Sequence, residues 1–282
     1  MHDQVDAIRR QEQVFRKTTV KTTVNDVEIA YRDEGTGLPF IFLHAFPMNQ
    51  RMWDEQLEAL KPHCRVITLD LRGFGESQSP NSSYSLEDMA SDVRALMKHL
   101  SIDRAVIAGL SMGGYIAMAF YRNYPDAVRA LVLSDTRTVS DTDEGRSRRF
   151  LSAQKAAQEG PAAIARDMVP VLLGPTSLKE RPDVVERVTR IAESNPSRGI
   201  AAAQRAMAGR PDSTSLMSEA RIPVLLIRGS EDALSPPSEM EAMQKNIPAA
   251  TLKIIDRAGH LSNLEQPDLF NAALLEFVTA LN

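Results

Sequence analysis

"AGLSMGGYIAMAF", residues 108–120, decides how this chain reads. It runs apolar, narrows through Gly109, Gly113 and Gly114 around Ser111, and then turns apolar again with a different period. Upstream, "RAVIAG" (104–109) is a short apolar run of strand type, and downstream a helical pattern extends from Met112 or Gly113 through Tyr124. A serine on so tight a strand-to-helix turn takes a strained backbone conformation and tolerates only small neighbours two residues away on each side, as Gly109 and Gly113 are. The turn throws the serine oxygen beyond the carboxyl ends of parallel strands, where open α/β sheets bind ligands, and aims a helix N-terminus at the same place. A phosphate loop would need a lysine that is absent here, and the spacing is not G-x-G-x-x-G. A tight turn packed with small residues fits the same pattern, so the partners of Ser111 must decide.

Outward from this stretch the chain repeats one rhythm. "KTTVKTTV" and "VEIAYRDE" alternate around Asn25-Asp26 and predict an antiparallel hairpin. "FIFL" (40–43), "RVITLD" (65–70), "RAVIAG" (104–109), "RALVLSD" (129–135), "PVLLIRG" (223–229) and "TLKIID" (251–256) read as apolar on both faces, with helical patterns such as "SLEDMASDVRALMKHL" (85–100) between most of them. Continuous apolar strands alternating with helices predict an α/β fold with a parallel sheet covered on both faces. Between Asp135 and Arg221 the strands stop, and helical stretches punctuated by Gly160-Pro161, Gly174-Pro175 and Asn195-Pro196 take over. We therefore expect residues 1–135 and 216–282 to form the α/β core and residues 136–215 a helical cap inserted between the sixth and seventh strands, since a structureless loop of ~80 residues is implausible in a compact domain.

Composition narrows the function classes. At 282 residues the chain fits one large domain with an insertion, as single cores stop growing near ~250–300 residues. The net charge of −4, with lysine and arginine dispersed, argues against a nucleic-acid partner. Its densest basic tract, Arg146-Ser147-Arg148-Arg149, reads as a solvated helix face. A single cysteine, Cys64, excludes an internal disulfide framework and reads as a small buried filler. The segment "MHDQVDAIRRQEQVFRK" is too charged for a secretory signal, and no stretch approaches the ~18 apolar residues of a membrane span. A cytoplasmic protein without membrane or nucleic-acid partners is expected.

A serine nucleophile needs a histidine base oriented by a carboxylate. Of the five histidines, His2 lies in the polar N-terminus, and His63 and His99 end amphipathic helices and read as solvated. His44 directly follows a strand in "FLHAFPMNQ", and His260 lies in the loop "IIDRAGHLSNLEQP" after the last strand. "LLIRGSEDALSPP" places Asp232 in another loop at a strand's carboxyl end, giving the order Ser111, Asp232, His260. Glu231 reads as a solvated loop carboxylate; Asp135, also at a strand's carboxyl end, is a rival acid or else the cap of the following helix. An oxyanion needs two donors, which the backbone N–H of Met112 and that of Phe46 in "HAFP" supply. Gly73-Phe74-Gly75 reads as a turn.

From end to end, "HAFP", "LDLRGFGES", the G-x-S-x-G turn, the G-x-x-D loop and "AGH" resemble the motifs of α/β-hydrolase-fold serine hydrolases, and the turn and "GHLSNLEQP" are most similar to 3-oxoadipate enol-lactonases and related esterases. The resemblance implies Ser111 as nucleophile, Asp232 as acid, His260 as base, and Phe46 and Met112 as oxyanion donors. It also implies that His44 braces the oxyanion loop and that Trp53 packs nearby. One departure is Ala45, where the family usually has glycine and where alanine resists positive φ. Dehalogenases and epoxide hydrolases of this fold carry aspartate at the turn; the serine here favours acyl chemistry on small esters or lactones, with no metal or organic cofactor. The same triad also serves cofactor-free perhydrolases and carbon–carbon bond hydrolases, and slow receptor-like members of the fold retain it. Residues 136–215 contain no tyrosine, histidine or tryptophan. Their apolar side chains, Met168, Val169, Val171, Leu172, Leu173, Met207 and the lone aromatic Phe150, lie at helical spacing that more often means inward packing than pocket lining, but those that face the sheet's carboxyl edge predict a small, dry acyl pocket.

Overall fold

The pair Asn25-Asp26 turns the chain between β1 (Val20–Val24) and β2 (Val27–Glu34). Both residues are left-handed, with φ of 47° and 61°, as a two-residue hairpin of the right twist requires. The structure, a computed structural model, describes residues 19–281. The charged N-terminal segment and His2 lie outside them. β3 (Pro39–Leu43), β4 (Arg65–Leu69), β5 (Ala105–Leu110), β6 (Val128–Ser134), β7 (Val224–Gly229) and β8 (Ala250–Ile255) complete one eight-stranded sheet in the order β1-β2-β4-β3-β5-β6-β7-β8. β2 joins β4 antiparallel, and every pair from β4 to β8 is parallel. The fold class is thus α/β with a mostly parallel sheet. β5 and β7 are buried along their whole length, but β8 is an edge strand whose Ile254 is 53% exposed, so "TLKIID" is not apolar on both faces in effect.

The chain passes from β3 to β4 on one side and then returns to place β5 on the other side of β3. That reversal makes the carboxyl ends of β3 and β5 the switch point where such sheets bind ligands. Leu43 pairs with Gly109 there, so the loop beginning at His44 and the turn at Ser111 leave the sheet side by side.

Helices cover both faces. α1 (Asp54–Leu60) and the C-terminal helix pack on one, with Trp53, Phe42 and Phe270 in aromatic contact, and Cys64 is buried among them. On the other lie α2 (Leu86–His99) and α3 (Met112–Asn123). α2 buries Leu86, Met89, Ala90, Val93, Leu96 and Met97 at helical spacing, and Ser85 and Asp88 close a capping box at its start worth about 1 kcal/mol. His63 and His99 are exposed as expected.

Between β6 and β7 come α4 (Asp143–Glu159), α5 (Pro161–Leu172), α6 (Pro175–Glu180), α7 (Pro182–Glu193), α8 (Ser197–Ala208) and α9 (Thr214–Ser218). Proline opens α5, α6 and α7, where its missing N–H costs nothing. α9 crosses the boundary expected at 215. α10 (Pro237–Asn246), α11 (Ser262–Glu265) and α12 (Pro267–Leu281) follow. No helix among the described residues is long and apolar enough to cross a membrane.

Candidate active site

Ser111 joins β5 to α3 at φ 54° and ψ −111°, a conformation that costs about 1–3 kcal/mol for a non-glycine residue and persists because its surroundings enforce it. Its N–H donates to the Ser134 carbonyl (2.9 Å), and its carbonyl accepts the Thr136 hydroxyl (2.9 Å). The neighbouring glycines are sterically required. A Cβ on Gly113 would stand 2.1 Å from the Leu43 carbonyl oxygen, and one on Gly109 would stand 2.1 Å from that of Gly113.

His260 and Asp232 meet as the chain order suggests. Asp232 Oδ2 accepts His260 Nδ1 at 2.9 Å, while Oδ1 accepts the N–H groups of Leu234 (2.8 Å) and Ser235 (3.1 Å). Both residues are buried. Burial alone would raise the Asp232 pKa, but the adjacent imidazole and these hydrogen bonds outweigh it and hold the carboxyl below its ordinary range. Ser111 and His260 line one cleft of ≈ 500 Å³ with Phe46.

The two rival carboxylates have other work. Asp135 caps no helix: Thr142 caps α4, and Asp135 instead accepts the Gly229 N–H (2.8 Å) and the Ser262 hydroxyl. Full burial, and then the charge of Asp232, push its pKa well above the ordinary carboxylate value. Glu231 is not simply solvated, since it accepts the N–H of Thr176 (2.9 Å) and its hydroxyl.

On the β3 side, Met48 N–H donates to Ala45 O (2.8 Å) and closes a turn around Phe46 and Pro47. Ala45 is not among the left-handed residues, so the loop forms without the glycine conformation. His44 is fully buried; its Nε2 accepts the Leu71 N–H (3.1 Å), which leaves the proton on Nδ1 to donate to Ala45 O (2.9 Å). Burial lowers its pKa to about 4, so it is a neutral strut between two loops. Trp53 packs on Phe42 and Phe270 beneath this loop and does not line the cleft.

A model of the α/β hydrolase fold family matches residues 39–267 of the chain. The chain belongs to the α/β-hydrolase-fold family. This hydrolase is 28% identical to 3-oxoadipate enol-lactonase 2 of Acinetobacter baylyi, over 89% of this chain and 93% of that one. Among solved structures it is similar to a thermophilic esterase from Thermogutta terrifontis with malate bound (42% identity, TM-score 0.90, 93% of this chain and 98% of that one). It is also similar to the enol-lactonase of Burkholderia xenovorans (28% identity, TM-score 0.86, 92% of this chain and all of that one).

The cleft of this α/β hydrolase differs from the dry pocket expected of it. Met168, Leu172 and Met207 do line it, but Val169 and Leu173 are buried elsewhere, and Phe150 and Val171 face solvent. Arg137, Arg148 and Arg149 line it too, with Tyr115, Asp141 and Gln204. The basic tract is therefore only partly a solvated face. Arg149 pairs with Asp141, which Arg210 also contacts at 2.7 Å; burial opposes ionisation of Asp141, but these guanidinium groups bring its pKa down to about 2. Arg137 pairs with Glu239 at 3.3 Å. Among the described residues Arg148 pairs with Glu144 alone, at 3.6 Å, with both side chains mostly exposed, a pairing worth at most about 1 kcal/mol. The insertion thus adds positive charge to the cleft, a property that spacing along α4 could not show because it depends on which way the helix faces.

Proposed function

We propose that this chain is a serine hydrolase that cleaves small carboxylic esters or lactones through an acyl-enzyme. One observation carries the reading: a serine held left-handed at the strand-to-helix turn shares a cleft with a histidine whose other nitrogen is held by a buried, ionised aspartate. Ser111 Oγ attacks the ester carbonyl while His260 Nε2 takes its proton. Asp232 stays ionised, fixes the tautomer and stabilises the imidazolium. The N–H groups of Phe46 and Met112 receive the oxyanion, with the N-terminus of α3 adding its partial positive charge. Collapse expels the alkoxide, which takes the proton from His260, and water then releases the acyl group by the same route. The relatives named as esterase and enol-lactonase support ester or lactone substrates.

The guanidinium groups narrow the class to substrates with a carboxylate besides the reacting carbonyl. Three arginines line the cleft with one carboxylate, Asp141; Arg149 pairs with it and Arg137 with Glu239, while Arg148 is only weakly paired. Guanidinium binds carboxylate in a forked geometry stronger than a neutral hydrogen bond. Malate, bound to the similar esterase, is a dicarboxylate. Residues 136–215 then act as a cap that supplies this charge above Ser111.

A fluorophosphonate tests the reaction. It should label Ser111 stoichiometrically, and Ser111→Ala should lose at least ~10³ in kcat on a short p-nitrophenyl ester while folding normally. Labelling at another serine, or a fully active alanine variant, would overturn the mechanism. Turnover of a β-diketone without ester hydrolysis would move the chemistry to carbon–carbon bond cleavage.

A further inference from the structure

"GHLSNLEQP" (259–267) contains a glutamate that the triad does not use. Glu265 ends α11 and is fully buried. Its two oxygens are divided between two segments: Oε1 accepts the Gly259 N–H (2.9 Å), and Oε2 accepts the Gly174 N–H (2.8 Å). The Ser177 hydroxyl and the Leu261 N–H also donate to it. Gly259 directly precedes His260, and Gly174 lies just past the end of α5.

The same two segments are joined twice more. His260 and Leu261 donate their N–H groups to the Leu172 carbonyl (3.0 and 3.2 Å), and a Cβ on Gly259 would stand 2.2 Å from the Gly174 nitrogen. In the neighbouring loop Glu231, beside Asp232, holds Thr176. Both the proposed acid and the proposed base are therefore fastened to residues 172–176 of the insertion, not to the sheet alone. A carboxylate suits the junction because it offers two acceptor oxygens to two N–H groups from separate segments. A glutamine would turn an NH₂ toward one of them.

We infer that Glu265 is a positioning residue for the catalytic base: through Gly259 it sets where His260 stands over Ser111, and through Gly174 it ties that position to the insertion. The inference rests on the reading of Ser111, Asp232 and His260 as a triad. The imidazole is held at its tip by Asp232 and at its backbone by this junction, so a shift of the backbone changes the reach of Nε2 even with the Asp232 bond kept. Misplacement of about 1 Å costs on the order of 10² in rate.

The test uses the full chain with a short ester. Glu265→Gln should lower kcat about 10- to 100-fold with KM changed much less, and should displace the acid limb of the kcat/KM profile against pH. Ser177→Ala removes one donor to Glu265, leaves both backbone clamps and keeps the fold; it should move kcat and the acid limb in the same direction by a few-fold, which keeps the idea testable if the glutamine variant does not fold. If the folded variants keep the wild-type kcat and acid limb and only Tm falls, Glu265 is a structural buttress and the inference is wrong. Failure of the wild type to be labelled at Ser111 would instead remove the triad reading beneath it.

Discussion

Asn195, just past the end of α7, donates from Nδ2 to the Pro47 carbonyl at 2.7 Å, so a residue of the insertion closes the loop that carries Phe46. Its Oδ1 accepts the Gly75 N–H (2.8 Å) and the side chain of Asn49 (3.3 Å). Asn195→Ala would orphan the Pro47 carbonyl and the Gly75 N–H in a buried place. We predict a loss of about 1–3 kcal/mol in urea unfolding together with a reduced kcat. Full activity in a destabilised Asn195→Ala protein would show that the Phe46 loop holds its shape without this bond.

Asp232 and Asp135 are both buried, but only Asp232 touches His260, the proposed base. Asp232→Asn should cost on the order of 10³–10⁴ in kcat through loss of the correct tautomer. Asp135 meets the Gly229 N–H and the Ser262 hydroxyl and not His260, so Asp135→Asn, whose oxygen can accept the Gly229 N–H while its NH₂ donates to the Ser262 hydroxyl, should cost less than about 5-fold. A reversed ranking in stopped or steady-state assays of folded protein would transfer the acid role to Asp135.

His44 gives the fold a pH dependence of known sign. Burial lowers its pKa from 6.5 to about 4, so below pH 6.5 the unfolded chain binds a proton that the folded one refuses. The stabilisation is present in full above 6.5 and is lost as pH falls toward 4. Asp54 and Asp70, raised to about 6 by burial, act oppositely: the folded chain binds their protons first, which favours folding as pH falls from 6 toward 3.8. The readout is therefore the difference between wild type and His44→Gln, in which the glutamine oxygen can still accept the Leu71 N–H. The stability advantage of the wild type should shrink by roughly 3 kcal/mol between pH 7 and pH 4. A constant difference across that range would mean that His44 takes up its proton as readily in the folded chain as in the unfolded one.

The cleft arginines should sort esters by charge. A monoalkyl ester of a short dicarboxylic acid should exceed its dialkyl counterpart in kcat/KM by about 10-fold or more, the scale of a charge-assisted hydrogen bond. Arg148→Gln should narrow the ratio mainly through KM, and added salt should narrow it in the wild type. Equal use of both esters, with Ser111 still labelled, would return the cleft to the neutral pocket read from its methionines and leucines.

The strands, the turn at Ser111 and the order of the loops were legible because each follows from a local rule: period, glycine spacing and position at a strand end. Every expected strand from "VEIAYRDE" onward lies within one residue of its observed bounds at either end, while β1 begins at Val20, three residues after the start of "KTTVKTTV". Glu231, Asp135 and Arg149 were misread because their meaning depends on what a distant segment brings against them. Thr176, Ser262 and the cleft are 55, 127 and tens of residues away in the chain, and no local pattern encodes such contacts. Glu265 and Asn195 were visible as residues in quoted motifs, yet only the folded chain gives them partners.

Because Gly174 and Gly259 meet backbone to backbone, the insertion of this hydrolase is not a freely exchangeable part. A chimaera that receives the corresponding helices of a relative with any side chain at position 174 would drive it into Glu231 and the base loop, whose Gly259 nitrogen lies 2.9 Å from where that Cβ would sit. Evolution or an engineer swapping the helices between β6 and β7 on this scaffold must therefore move residues 174, 259 and 265 together, so that those helices and the loop that carries His260 are inherited as one unit.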